Sequence, residues 1–144
     1  MFWYVRVVVM WIYLSKLLMA GNVGIMLFFT VAVAPTIFTA LPPQWSAAYV
    51  RKFFPKYFFF LGISTAAAAA LDSGGGIDLI RQSALLACAS IFFFNCFWLT
   101  PRLNQARDGK QAATFKALHW LSVGFNMVQL LVFIWLLIPT GLSI

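Results

Sequence analysis

The chain has 144 residues and a formal net charge of +7, and 63% of its residues are hydrophobic while 9% are charged. A soluble domain carries about 25% charged residues, so this composition excludes an ordinary water-exposed surface and predicts a protein embedded in lipid. The basic residues flank apolar segments and form no solvated basic face. The chain is therefore expected to contact the lipid bilayer and its anionic headgroups, and not nucleic acid.

Four apolar segments follow one another along the chain, each close to the ~20 residues that a helix needs to cross a bilayer. They predict an all-α integral membrane four-helix bundle with antiparallel up-down topology, in one transmembrane domain over residues 1–144. Phe2–Ile12 is apolar as well, and is expected to prolong the first helix or to lie in the interface. The predicted spans are about 13–34, 54–71, 77–100 and 114–138.

Three prolines mark expected helix boundaries. Pro55 suits the first turn of the second helix, where its missing N–H costs nothing. Pro101 is expected to stop the third helix and Pro139 the fourth. Trp45–Arg51, ahead of the second span, is expected to form a separate surface helix.

The distribution of Lys and Arg predicts which way the bundle faces. The first and third loops hold seven of the ten: Arg51, Lys52, Lys56, Arg102, Arg107, Lys110 and Lys116. Arg6, Lys16 and Arg81 lie on the other side. Because cytoplasmic loops carry an excess of Lys and Arg, loops 1 and 3 are predicted to be cytoplasmic and both termini to be on the opposite side.

The fourth segment carries a polar stripe. Its members share one face of a helix because they are three, four and three residues apart: His119, Ser122, Asn126 and Gln129. Polar groups at membrane depth normally face the bundle interior. Asn95 of the third segment is expected at a depth similar to that of His119. The amides suit interhelical hydrogen bonds or ligand contacts, and both interpretations stay open.

His119 has three interpretations: a structural hydrogen-bonding residue, an axial haem ligand or a proton-switchable group. A metal site needs further ligands. The chain offers no second His and no intramembrane carboxylate, so no metal site is predicted. No acid orients His119 toward Ser122 either, and no catalytic residue is predicted. No cofactor is expected, with haem bound by His119 as the alternative.

Short motifs at one end of the predicted spans resemble a known family. The motifs are Ala34–Phe38, Phe54–Phe58, Thr100–Asn104 and Phe115–His119. Over roughly Leu14–Ile138 the chain resembles the transmembrane-protein-205-like family, the domain of unknown function 4149. More distantly it is similar to the copper-resistance D and HemJ-type membrane proteins. The resemblance implies a four-helix membrane protein without an established reaction, and the distant likeness adds metals and haem.

Resemblance and topology together place a candidate site at the cytoplasmic end of the bundle. Arg102 and Lys116 are expected to border it, which favours an anionic or headgroup-like ligand. The complete set of predicted site residues is Pro35, Thr36, Asn95, Arg102, Asn104, Lys116, His119, Ser122 and Asn126.

The expected function is that of a membrane binding or accessory module without evident catalysis. The alternatives are a transport or resistance factor for metal complexes or small molecules, and a haem-linked membrane redox protein. The expected partners are the lipid bilayer together with another membrane protein or a second copy of the chain.

Overall fold

The computed structural model describes residues 2–74 and 78–138, and these residues form four long helices. Each helix is long and apolar enough to cross a membrane. Every helix packs against the next one along the chain, and the fourth packs back against the first, which gives an up-down bundle. The chain is an all-α integral multi-pass membrane protein, as predicted. The helices cover Trp3–Ala40, Pro43–Ser73, Leu79–Asp108 and Ala112–Leu137.

The two ends of the bundle differ in charge. The connections after Ala40 and after Asp108 lie at one end, which we call the basic end because most Lys and Arg residues are near it. We call the other end, near Ser73 and Leu79, the opposite end. The distinction matters because the polar residues at the two ends are arranged differently.

The first helix is longer than a bilayer requires. Its 38 residues give about 57 Å at 1.5 Å per residue, against ~30 Å of hydrocarbon. The apolar residues before Tyr13 are thus part of this helix. Trp3 and Tyr4 are exposed, whereas the ring of Trp11 lies against Gly74 at the end of the second helix. The extension therefore contacts the opposite end of the bundle through Trp11.

Pro35 and Pro101 lie inside continuous helices. Each comes just after a π-helical turn, Phe29–Val33 in the first helix and Asn95–Leu99 in the third. In a regular α-helix the proline ring would clash with the carbonyl four residues earlier, and a π turn changes that spacing. The prediction that Pro101 ends the third helix is wrong, because the helix continues to Asp108.

The second helix begins earlier than predicted. It starts at Pro43, which takes the position in the first turn expected for Pro55. Trp45–Arg51 is the first part of this helix and not a separate surface helix, and Pro55 lies in its interior. The carbonyl oxygen of Pro55 accepts a hydrogen bond from Cys96 Sγ at 3.3 Å.

The core is apolar along most of the bundle axis. The rings of Phe92 and Phe133 are fully buried and stack with centroids 6.1 Å apart. The second and third helices approach closely at Gly62, where a Cβ atom would lie 2.8 Å from the Phe93 ring. Small residues allow such approaches between helices in lipid. Other fully buried members of the core are Met19, Met26, Leu61 and Leu85.

Interhelical hydrogen bonds cross the middle of the bundle. Asn22 Nδ2 donates to Thr65 Oγ1 at 3.1 Å, which joins the first and second helices. Gln129 Nε2 donates to the carbonyl oxygen of Cys88 at 2.9 Å, which joins the fourth helix to the third. Both side chains are buried. Gln129, a member of the polar stripe, thus makes an interhelical hydrogen bond.

A buried ion pair closes the opposite end. The Arg81 guanidinium donates to the Asp72 carboxylate at 3.2 Å and to the carbonyl oxygen of Leu136 at 2.9 Å. These bonds join the third helix to the second and fourth. Asp78 caps the third helix by accepting a hydrogen bond from the backbone N–H of Ile80.

Candidate functional site

A cavity of about 710 Å³ lies in the bundle at its basic end. Its volume is in the range of small-molecule sites, roughly 300–1,000 Å³. Parts of all the long helices line it. The larger apolar members of the lining are Phe29, Ile37, Phe38, Leu41, Phe54, Phe58, Leu103, Phe115, Val123 and Met127. The polar members are Thr30, Ser46, Arg51, Thr100, Asn104, Arg107, His119, Ser122 and Asn126.

The cavity exists because the first and fourth helices separate at this end. Phe2–Phe28 packs against the fourth helix, but no Cα atom of residues 29–40 lies within 8 Å of a Cα atom in Ala112–Leu137. The whole stretch from the π turn Phe29–Val33 to Ala40 lacks such contacts. Residues of this stretch and of the fourth helix line the cavity. The cavity therefore extends between the first and fourth helices, which pack less closely at this end.

An aromatic cluster forms part of the apolar wall. Phe54 and Phe58 lie one turn apart on the second helix and stack with centroids 5.7 Å apart. Phe29 meets Phe54 edge to face at 5.5 Å. These rings give the cavity a continuous hydrocarbon surface that suits an alkyl chain or another apolar group.

Two polar groups of the lining lack hydrogen-bond partners within the described part of the chain. The Thr100 side chain is 4% exposed and its Oγ1 is unpartnered. Asn126 Oδ1 makes no hydrogen bond of normal geometry, but the hydroxyl of Tyr57 on the second helix lies close enough to interact with Asn126. Asn95, fully buried and outside the cavity lining, has neither amide atom partnered. A buried polar group left without a hydrogen bond costs about 1–3 kcal/mol. Each of these atoms has almost no exposed surface, so a molecule in the cavity would reach it only after a local rearrangement.

Arg51 and Arg107 line the cavity where the second and third helices meet at the basic end, the part that we call its mouth. Arg51 forms an ion pair with Asp108 that joins the second and third helices. Arg107 donates a long hydrogen bond of 3.4 Å to the carbonyl oxygen of Ala47, and its guanidinium lies 4.9 Å from the centroid of the Phe115 ring. Arg51 compensates the carboxylate of Asp108, whereas Arg107 makes no ion pair with a described residue. The mouth is thus positively charged.

The structure brings four of the predicted site residues together. Asn104, His119, Ser122 and Asn126 all line the cavity. Ser122 is buried and Asn126 half-buried, while His119 is exposed at the margin. The imidazole of His119 lies parallel to the Phe115 ring at 6.0 Å.

The other predicted site residues lie outside the cavity lining. Pro35 and Thr36 are exposed, and Thr36 Oγ1 donates to the carbonyl oxygen of its own helix at Ala32. The Arg102 guanidinium lies 4.1 Å above the Trp98 ring. Lys116 is exposed on the outside of the fourth helix, and Asn95 is buried beside the cavity and does not line it.

The π turn explains why Arg102 lies elsewhere. Asn95 and Arg102 share a face only if the helix between them is regular. The π turn at Asn95–Leu99 adds one residue to that stretch, which rotates the remainder of the helix by about 100°. The face that starts at Asn95 therefore continues at Leu103, which lines the cavity with Asn104.

Sequence reasoning missed Arg51, Thr100 and Arg107 as cavity residues, since both arginines were interpreted only as topology markers. One signal was present. Asp108 is the sole acidic residue near the two basic loops, so an ion pair between those loops was predictable. Such a pair brings Arg107, its neighbour in sequence, to the same place.

The fold and the cavity define a small helical-bundle membrane protein with a cavity at the basic end of its described residues. The sequence matches the family described as Domain of unknown function (DUF4149) over residues 17–112, and the chain belongs to that family. The match covers most of the first three helices and ends where the fourth begins. Comparison with curated proteins and with solved structures gave no match for this chain.

Proposed function

We propose that this protein is a binding module of the membrane that holds a small amphipathic molecule in the cavity at its basic end, without catalysis. The observation that carries the proposal is the composition of the cavity wall, which is mainly apolar but includes a polar row of Thr100, Asn104 and Arg107 on the third helix.

The apolar and polar parts of the cavity wall favour a ligand that has both an apolar and a polar surface. A wholly apolar ligand would cover the polar side chains of Asn104 and Arg107 without replacing their hydrogen bonds to water, at about 1–3 kcal/mol for each group. A wholly polar ligand would lose water against the rings of Phe54 and Phe58 and gain nothing from them. An amphipathic molecule satisfies both parts of the wall.

The absence of catalysis remains part of the proposal. His119 and Ser122 line the same cavity, but the chain's three carboxylates lie elsewhere or are engaged: Asp72 and Asp78 at the opposite end, and Asp108 in its pair with Arg51. Without an acid to orient the imidazole, the pair lacks the third member of a hydrolytic triad.

Photo-crosslinking in liposomes tests the proposal. The probes are diazirine-bearing monoacylglycerol and diazirine-bearing lysophosphatidic acid with the same chain, and the crosslinked residues are mapped by mass spectrometry. We expect labelling of cavity residues by at least one probe. Ser122→Phe fills the cavity and should reduce that labelling severalfold, whereas Ser90→Phe, the same change at an exposed position, should not.

The proposal fails if neither probe labels the cavity above the level of the outer surface. It also fails if Ser122→Phe, shown by thermal unfolding to be folded, labels like the parent protein. The paired Ser→Phe variants separate a filled cavity from a general effect of an added ring.

The alternatives from the sequence are proposals at this same site, because His119 lies at its margin. They are a transport or resistance factor for metal complexes and a haem-linked redox protein. The likeness to transmembrane protein 205 and to the copper-resistance D and HemJ-type proteins is a proposal as well. A Soret band in the purified protein that disappears in His119→Ala would overturn the binding proposal in favour of haem. Co-purification in mild detergent would identify a membrane protein partner or a second copy.

A further inference from the structure

We infer that the ligand is an anionic glycerolipid of the surrounding bilayer, whose phosphate binds Arg107 and whose acyl chain lies against the aromatic wall of the cavity. The inference rests on the proposed function and adds the chemical class of the ligand and the route by which it arrives.

Charge at the basic end favours an anion. The first and third loops carry seven of the ten Lys and Arg residues, and Asp108 is the only acid near them. Arg51 already compensates Asp108. A cationic head group would be repelled here, whereas a phosphate would be attracted over roughly the Debye length of about 10 Å.

Arg107 is placed to bind that phosphate. It lines the cavity, and of its five N–H donors one makes a hydrogen bond to a described residue, the 3.4 Å bond to the carbonyl of Ala47. The Phe115 ring lies 4.9 Å from the guanidinium carbon and restricts its orientation. A guanidinium at a cavity wall with donors left over suits a bidentate contact with phosphate oxygens.

The polar part of the cavity is longer than one charged group. Thr100, Asn104 and Arg107 all line it and are four and three residues apart on one helix, so they form a row about 10 Å long. Thr100 is buried with its hydroxyl unpartnered. A carboxylate alone would occupy only the Arg107 end of this row. A phosphate attached to glycerol and an ester extends along it, past Asn104 and toward Thr100.

The wider spacing of the first and fourth helices gives such a lipid a route from the bilayer. This gap lies between residues 29–40 and the fourth helix, and Phe38 of the cavity lining is exposed there. An acyl chain passes through this gap without leaving the hydrocarbon layer, so it avoids the cost of about 0.8 kcal/mol for each CH₂ exposed to water. A free phosphate ion has no need of this gap.

The matched probes test the inference separately from the proposed function, because lysophosphatidic acid and monoacylglycerol differ only in the phosphate. We expect lysophosphatidic acid to label the cavity roughly tenfold more strongly, the scale of one charge-assisted hydrogen bond. Arg107→Gln should abolish the preference and Arg107→Lys should retain part of it. Lys52→Gln removes a charge from an exposed position at the same end and should leave the preference intact.

Equal labelling by both probes, or an unchanged preference in a folded Arg107→Gln protein, would overturn this inference and leave the proposed function standing. Loss of the preference on adding inorganic phosphate at equal concentration would show a site for free phosphate and would also overturn it. Labelling by neither probe would remove the proposed function as well.

Discussion

Single glycines in this bundle differ in what surrounds them. A Cβ atom added to Gly62 would lie 2.8 Å from Phe93 Cε1, whereas one added to Gly24 would have nothing within 4 Å. Both glycines lie in apolar helices and look alike in the sequence. What separates them is the third helix, which approaches the second helix at Gly62. This close approach lets the second and third helices pack along their length.

Gly62→Leu is expected to lower the free energy of unfolding by about 1–3 kcal/mol, because the added side chain displaces the Phe93 ring or separates the helices. Gly24→Leu adds the same side chain toward lipid and is expected to change the free energy by less than about 0.5 kcal/mol. Unfolding by a denaturing detergent measures both. Equal losses in the two variants would contradict the close approach at Gly62.

At the scale of helices, the π turns decide which residues reach the cavity. The spacing of Ser122 and Asn126 was readable from the sequence because the fourth helix is regular over that stretch. The position of Arg102 was not readable, because the π turn Asn95–Leu99 adds one residue to the third helix ahead of Arg102. Assigning residues to a helix face by their spacing assumes the same number of residues in every turn. Neither π turn has a distinctive composition that would reveal the extra residue. The prolines beside them were visible, but a proline indicates a helix end as readily as a widened turn.

The ion pair at the opposite end gives a prediction at the same scale. Asp72 and Arg81 have side chains that are 5% and 19% exposed, so removing Asp72 leaves a partly exposed guanidinium that keeps its hydrogen bond to the carbonyl oxygen of Leu136. Asp72→Ala is expected to cost about 1–3 kcal/mol of unfolding free energy. Combining it with Arg81→Leu should recover much of that loss. The control Asp78→Ala removes a helix cap and should cost about 1 kcal/mol; additive losses in the double variant would contradict the pairing.

At the scale of the whole molecule, the fold class was predictable and the helix lengths were not. Apolar content and four segments of membrane length led to the bundle that the described residues form. The helices extend past the predicted spans because hydropathy reports the part in lipid, and a helix continues beyond lipid wherever its backbone stays paired. The first helix shows this at both ends, from Trp3 to Ala40.

Sidedness remains a prediction of the Lys and Arg distribution, with the basic end in the cytoplasm. Fusions to a phosphatase that is active only outside the cytoplasm test it. We expect activity when the enzyme is attached after Ile144 and none when it is attached after Gly109. The reverse pattern would place the basic end, and with it the cavity, on the outer side. The anionic lipid proposed for the cavity would then have to come from the outer leaflet.

The π turns also constrain chain length. A substitution within residues 29–33 or 95–99 leaves the count of residues unchanged, so every later side chain keeps its direction. Deleting one residue there would turn the rest of that helix by about 100° and carry Thr100 and Arg107, or Ile37, away from the cavity. In these two stretches the number of residues is therefore constrained in addition to the identity of buried members such as Asn95 and Leu99, and deleting a residue is expected to displace the cavity side chains more than a substitution does.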